Sequence, residues 1–181
     1  MIDFQVVVYM VSRVLMIGVL LVLATCTAVA RDNARSIEGT YRNPALGYSI
    51  QIPVGLRGVA GDEAGPERGV GVLLPSGGKI VVFGEPNSLE WKSPEDGVRA
   101  ELTDAACISG EREVEKARVG TLSGAKGRLV CGNRVLRMLI VLRPGGGPIY
   151  CLRLETVRAH ELGDGAILES IAASFRLIRW E

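Results

Sequence analysis

The sequence predicts a domain of the α+β class, with a central antiparallel sheet of about six or seven strands flanked by helices. Short apolar segments, several of them alternating with polar residues, indicate the strands, and Gly- and Pro-rich turns between them indicate hairpins. The composition favours the same interpretation, because the 181 residues include 23 glycines and only 5% aromatic residues. Two further segments carry helical signals. Runs of strands separated by single helices are typical of α+β folds.

The amino terminus has the three parts of a secretory signal peptide. Arg13 precedes an apolar run over residues 14–23, and Ala28-Val29-Ala30 supplies a small-residue cleavage motif. We expect cleavage after Ala30, so that residues 1–30 are the signal peptide and residues 31–181 form a single exported domain. Residues 1–9 carry no basic residue, which makes Met10 a candidate for the true translation start.

Two alternatives to cleavage remain open. Leu23-Ala24-Thr25-Cys26 resembles a bacterial lipobox, which would make Cys26 a site of lipidation and the chain an envelope lipoprotein. An uncleaved anchor is the second alternative, because the apolar stretch approaches the roughly 20 residues of a membrane-spanning helix when it is counted from Phe4.

Four strands are predicted before the first helix. Each is an apolar or alternating segment bounded by turn residues, and the last two flank the turn Pro75-Ser76-Gly77-Gly78 as a hairpin. Residues 58–69 are rich in Gly, Asp and Glu and predict a loop. The four predicted strands are residues 37–42, 46–52, 70–74 and 79–83.

Two helices are predicted. The first begins at Ser93-Pro94, where a capping hydroxyl precedes proline and two acidic residues that face the helix dipole. The second spans residues 164–175, with an apolar stripe through Leu168 and Ile171.

Three strands are predicted between the helices. Residues 134–142 are almost continuously apolar, which predicts a central strand covered on both faces. Residues 111–116 alternate acids and bases and predict a solvated segment. The three strands are residues 124–131, 134–142 and 148–156, and residues 176–180 form a possible last strand.

Two segments carry a resemblance to a known family. Residues 41–53, with Tyr41-Arg42-Asn43 followed by Leu46-Gly47-Tyr48-Ser49 and closing on Pro53, resemble the opening of PsbP-like domains. Residues 167–177 are similar to the C-terminal helix and last strand of those domains. The resemblance implies a sandwich with a central antiparallel sheet flanked by helices. It implies no particular function, because one fold serves many roles.

Three cysteines remain after the expected cleavage. Gly132-Asn133 predicts a two-residue turn that places Cys131 at the end of its strand, and Cys107 follows the first helix. We therefore favour a Cys107–Cys131 disulfide, since exported proteins commonly form disulfides. Cys151 lies in an apolar strand and is interpreted as a small buried hydrophobe.

No catalytic constellation is evident in the sequence. Ser123 and Lys126 match Ser-x-x-Lys, but they lead into a strand, where residues three apart point to opposite faces. His160 is the only histidine, which is too few for a zinc site, so we expect no cofactor and no metal. The formal net charge of +1 gives no reason to expect nucleic acid.

The sequence therefore favours an exported, non-enzymatic binding or assembly module of the cell envelope, acting on an unknown protein or small ligand. A lipid-anchored lipoprotein and a secreted hydrolase or thiol-redox protein are the alternatives, and membrane contact is expected only with lipidation at Cys26 or an uncleaved anchor. Binding residues are commonly on loops. The expected groove combines the predicted loop, with Asp62, Glu63 and Glu67, and the side chain of Trp91.

Overall fold

Eleven strands and two α-helices form the part of the chain that the computed structural model describes, which is residues 35–60, 69–105, 107 and 110–178. The helices are α1 (Pro94–Asp104) and α2 (Glu161–Ser174), and a short 3₁₀ turn, Arg158–His160, precedes α2. The strands are β1 (Arg35–Ile37), β2 (Thr40–Asn43), β3 (Tyr48–Gln51), β4 (Gly58–Ala60), β5 (Gly69–Leu73), β6 (Lys79–Pro86), β7 (Glu111–Val119), β8 (Leu122–Cys131), β9 (Arg134–Leu142), β10 (Pro148–Val157) and β11 (Arg176–Leu177).

The strands form two antiparallel sheets. The larger sheet has eight strands in the order β1-β4-β5-β6-β10-β9-β8-β7, and the smaller has three in the order β11-β3-β2. The predicted α+β class is confirmed, and the central sheet is larger than the six or seven strands expected. Hairpins join β5 to β6, β7 to β8, β8 to β9 and β9 to β10, so most of the pairing is between neighbours in sequence.

Each face of the large sheet is covered by a different helix. On one face α1 packs on β7, β8 and β9, with Val98 and Leu102 buried. On the other face α2 packs on β9 and β10 and also on β3 of the small sheet. Strand β9 contributes to both cores, since Met138 belongs to the cluster with α1 and Leu139 to the cluster with α2. The predicted central position of this strand is confirmed.

A close approach between backbone and helix fixes the position of α1. Gly127 of β8 lies directly beneath Val98, and a Cβ atom at Gly127 would stand 2.4 Å from the Val98 side chain. Because any larger residue would push the helix outward, the glycine sets the distance between α1 and the sheet.

Several expected elements differ from those of the structure. Residues 37–42 do not form one strand, because Gly39, with φ of 71°, turns the chain between β1 and β2. The expected loop 58–69 is a loop only in part, since β4 pairs with β1 and β5. The segment 111–116 is mostly exposed, as predicted, but it also forms part of β7, an edge strand that the sequence did not indicate and whose backbone pairs with β8.

The signal peptide, the lipidation site Cys26 and the candidate start Met10 all lie outside the described residues. Within the residues that are described, no helix has the length and apolar character needed to cross a bilayer.

Candidate functional site

A short loop between β6 and α1 presents Trp91 at one end of the large sheet. The Asn87 side chain closes the loop in both directions, since its Oδ1 accepts from Trp91 N at 3.0 Å and its Nδ2 donates to Trp91 O at 3.0 Å. Glu90 stands between them with φ of 53°, a left-handed conformation that residues other than glycine rarely adopt. A residue in such a conformation persists only where surrounding contacts hold it in place, and residues of this kind cluster at functional sites.

The first turn of α1 supports the Trp91 ring from behind. A Cβ atom at Gly97 would lie 2.6 Å from Trp91 Cε3, so the indole packs directly on the helix backbone. Ser93 caps this helix through a reciprocal capping box with Asp96, with Ser93 Oγ accepting from Asp96 N at 3.2 Å. The capping motif predicted from the sequence therefore also holds Trp91 in position.

The Trp91 side chain forms one wall of an open, shallow groove of about 570 Å³. Leu46 and Pro86 contribute apolar surface, and the exposed side chains of Glu90 and Lys92 lie with Oε2 and Nζ 3.9 Å apart. Leu46 is held by Tyr150, whose hydroxyl donates to Leu46 O at 2.8 Å. We call this the Trp91 groove; it is lined by Leu46, Pro86, Asn87, Ser88, Glu90, Trp91, Lys92, Gly147 and Pro148.

The groove expected from the sequence is only partly described by the structure. Trp91 lines a groove, whereas Asp62, Glu63 and Glu67 lie outside the described residues. The strand ends that flank them are described. Gly69 pairs with Phe83 close to the end of β6 that leads into the Trp91 loop.

A second cavity, of about 320 Å³, lies between the C-terminal half of α1 and strands β8 to β10. Its floor is apolar and consists of Leu129, Leu136 and Met138. The disulfide between Cys107 and Cys131 forms part of the wall, with the two Cα atoms 6.0 Å apart. This is the pairing that the sequence favours. We call this space the α1 cavity.

Five charged residues line the α1 cavity. Glu101 and Asp104 project from α1, and Arg134, Arg153 and Glu155 project from the strands. Arg153 Nη2 lies 3.1 Å from Glu155 Oε1. Burial raises the pKa of the half-buried Glu101 and the negative charge of Glu85 raises it further, while the positive charge of Arg153 partly opposes both. A carboxyl group with a raised pKa in a cavity is a feature common at functional sites.

Sequence reasoning missed the α1 cavity. The sequence signal for this cavity was weak. Glu101 and Asp104 are about one helical turn apart, and Arg153 and Glu155 are two residues apart, which places them on the same face of their strand. Arg112, near the start of β7, donates to Leu102 O at 3.1 Å and to Cys107 O. Together with the disulfide, this guanidinium fixes one side of the cavity.

The remaining candidate groups show no catalytic arrangement. The Cys151 side chain is buried at 3% exposure, and burial raises the pKa of its thiol, so reactive thiolate is scarce. Ser123 and Lys126 both lie in β8, and Lys126 Nζ pairs with Glu115 Oε2 at 3.0 Å. His160 is exposed just before α2. The described ranges contain no group of three or more His, Cys, Asp or Glu side chains that could hold a metal.

Comparison with known proteins identifies the fold. No family model and no curated protein sequence matches the chain. Among solved structures, cyanobacterial PsbP (CyanoP) from Synechocystis sp. PCC 6803 matches 82% of this chain and 95% of its own, with a TM-score of 0.54 and 15% identity.

The fold is PsbP-like. LpqN of Mycobacterium tuberculosis, described as involved in cell envelope biogenesis, has a similar structure, with a TM-score of 0.56 and 13% identity over 83% of this chain and 88% of LpqN. The resemblance to PsbP-like domains seen in residues 41–53 and 167–177 is thus confirmed at the level of the fold. At these identities the likeness does not extend to activity.

Proposed function

We propose that this chain is an exported, non-enzymatic binding or assembly module of the cell envelope, and that the Trp91 groove holds an apolar segment of a protein partner. The observation that carries the proposal is the Trp91 loop itself. A large aromatic side chain lines an open groove on a strained loop that Asn87 and Gly97 hold in place. Tryptophan side chains are enriched among residues that dominate binding energy at protein interfaces.

The shape of the groove favours a protein segment over a small molecule. Small-molecule sites usually enclose most of the ligand surface, whereas this groove is shallow and open along its length. Leu46, Pro86 and Trp91 offer apolar contact, and the charged side chains of Glu90 and Lys92 are exposed beside them. An apolar centre with a polar rim is the usual arrangement of a protein interface.

The envelope is proposed as the compartment for two reasons. The apolar run and Ala28-Val29-Ala30 have the pattern of a signal peptide, and a disulfide joins Cys107 to Cys131, as expected of a protein exposed to an oxidising environment. The fold is also shared with LpqN, a protein of cell envelope biogenesis. A thiol-redox role through Cys151 is not supported, because that side chain is buried.

Site-specific photo-crosslinking in cells tests the proposal. A photoreactive amino acid replaces Ser88, an exposed residue of the Trp91 groove, and the matched control replaces Ala166, an exposed residue of α2. We expect a discrete protein adduct in the envelope fraction from position 88 and none from position 166. Adding Trp91→Ala should reduce the adduct at least fivefold. No adduct, or the same adducts from both positions, would contradict the proposal.

A further inference from the structure

We propose that the α1 cavity is a second binding site, and that its ligand is a small zwitterion with an apolar body, of the class of the aliphatic amino acids. The site is separate from the Trp91 groove. It involves the C-terminal half of α1 and the strand ends near the disulfide, whereas the groove lies beside the N-terminal end of α1. The proposal therefore stands independently of the proposed function.

The apolar part of the ligand is matched by the floor of the cavity. Leu129, Leu136 and Met138 lie side by side on β8 and β9, where Leu129 is the register partner of Leu136. At about 320 Å³ the cavity has the size of a small-ligand site. The Cys107–Cys131 disulfide crosslinks its wall, which reduces the ordering that binding requires.

The charged part of the ligand is matched by three residues at the edge of the cavity. Arg153 and Glu155 already pair with each other. Glu101, Asp104 and Arg134 also line the cavity; among the described residues none of the three forms an ion pair within 4 Å, although the charge of Arg153 acts on Glu101. An ammonium group would bind the two carboxylates, and a carboxylate would bind the guanidinium, whose fork-shaped donors suit that group.

A ligand with a single charge matches the site less well. A simple amine would leave Arg134 unmatched, and a simple carboxylate would place a like charge close to Glu101 and Asp104. Glu101 is half-buried, which strengthens the preference for an ammonium group. The Coulomb attraction between a carboxylate and a nearby cation is stronger where water is partly excluded. Charge complementarity thus selects a zwitterion over either half of it.

Methyl NMR with three matched probes tests the inference. L-leucine, isoamylamine and 4-methylpentanoate share an apolar body and differ in charge, and the ¹³C-methyl signal of Met138, assigned with Met138→Leu, reports from the cavity floor. We expect saturable shifts with L-leucine at an apparent Kd at least fivefold lower than with either single-charge probe. Absence of a saturable shift up to about 10 mM L-leucine would overturn the proposal. Equal binding of isoamylamine would overturn the zwitterionic class.

Variants locate the two charged contacts. Glu101→Gln and Arg134→Gln should each weaken L-leucine binding about tenfold, and Glu115→Gln on the edge strand β7, outside the cavity, should leave it unchanged. Unaltered thermal melting curves show that each variant is folded. Unchanged affinity in folded Glu101→Gln and Arg134→Gln would overturn the proposed site, whatever the outcome of crosslinking at position 88.

Discussion

Arg128 and Glu161 form a two-pronged ion pair between β8 and α2. Arg128 Nε and Nη2 donate to the two carboxylate oxygens of Glu161 at 2.5 and 2.8 Å, which joins β8 to the first residue of α2. The side chains are 29% and 19% exposed, so the pair is less screened by water than an ordinary surface pair. A two-pronged contact of this kind is expected to contribute about 1–2 kcal/mol.

The pair makes stability depend on pH. The hydrogen bonds from Arg128 lower the pKa of Glu161 below its ordinary value of 4.5. The stabilisation is therefore complete above pH 4.5 and is lost as pH falls through the lower pKa of the folded state. Glu161→Gln should lower the free energy of unfolding by about 1 kcal/mol at neutral pH, with the difference shrinking in acid. Urea unfolding across this pH range measures it.

Glu169→Gln is the control for this prediction. Glu169 accepts one bond from Arg137 at 3.2 Å, and its side chain is 47% exposed, so its removal should change stability less. Equal losses for the two variants, or a Glu161→Gln loss that stays constant in acid, would refute the assigned role of the Arg128 contact.

Asp164 is the buried carboxylate that ties α2 to two neighbouring segments. It is 4% exposed and accepts from Ser76 Oγ at 2.8 and 2.9 Å and from Thr156 Oγ1 at 2.5 Å. Asp164→Ala would leave two hydroxyl groups without their acceptor, and we expect a loss of about 2–4 kcal/mol in the free energy of unfolding. Ser170→Ala, at an exposed position on the same helix, should change it by less than about 0.5 kcal/mol. Similar losses in both variants would refute this role.

At the scale of elements, α1 connects the two candidate sites. Its N-terminal turn supports Trp91, its middle packs against Gly127, and its C-terminal half borders the α1 cavity. The disulfide then holds the chain that follows the helix. Changes that move α1 should consequently affect both sites, whereas changes in α2 should affect stability alone.

The contact between Trp91 and Gly97 can be tested with a pair of glycine substitutions. Alanine normally favours a helix by about 1 kcal/mol over glycine. Gly163→Ala in α2, where the new Cβ meets nothing within 4 Å, should therefore stabilise the protein. Gly97→Ala places a Cβ 2.6 Å from the Trp91 ring, so it should destabilise the protein and alter its near-UV circular dichroism. Stabilisation by both substitutions would show that the ring does not depend on this contact.

The disulfide is the strongest local constraint on the end of α1. It links residues 24 positions apart, which corresponds to roughly 3 kcal/mol in the chain-entropy account. Paired Cys107→Ser and Cys131→Ser substitutions should lower the free energy of unfolding by about that amount and make stability insensitive to reductant. Cys151→Ser, which alters a buried thiol outside the disulfide, should retain the sensitivity to reductant. Loss of that sensitivity in Cys151→Ser would contradict the pairing.

At the scale of the whole molecule, the PsbP-like sandwich places both candidate sites against its hydrophobic cores. The two cores lie on opposite faces of the large sheet, and an aromatic group of Tyr41, Tyr48, Tyr150 and Phe175 fills the core beneath the small sheet. The Trp91 groove is built from Leu46, from the segment that follows β6 and from the turn between β9 and β10. Because Trp91 and Leu46 also pack against the cores, substitutions at these two positions should affect stability as well as binding.

Intact mass of the protein from soluble and membrane fractions tests the proposed export. We expect a soluble species that begins at Arg31 and gains the mass of two hydrogen atoms on reduction. A lipid-sized increment on Cys26 would instead establish the lipoprotein alternative. Retention of the apolar segment in the membrane fraction would establish the uncleaved anchor. An unprocessed soluble chain would exclude cleavage after Ala30.

Much of the fold and part of the candidate site were predictable from the sequence. Signals within a few residues determined the start of α1 at Ser93-Pro94, the β5–β6 hairpin and the central place of β9, because caps, turn residues and apolar runs act locally. The turn after Cys131 likewise indicated the disulfide partner. Trp91 was expected in a groove with the predicted 58–69 loop because binding residues are commonly on loops.

Only the tertiary structure decided the pairing of short or charged strands and the composition of both sites. β4 has three residues and β7 is largely charged, so their identity as strands comes from hydrogen bonding to β5 and β8 rather than from side-chain pattern. The Trp91 groove joins Leu46 to Pro148, and the α1 cavity joins Glu101 to Arg134. These residues become neighbours through the order of strands in the sheet and the packing of α1 on it. Both depend on contacts between residues far apart in sequence, so no local sequence pattern predicts them.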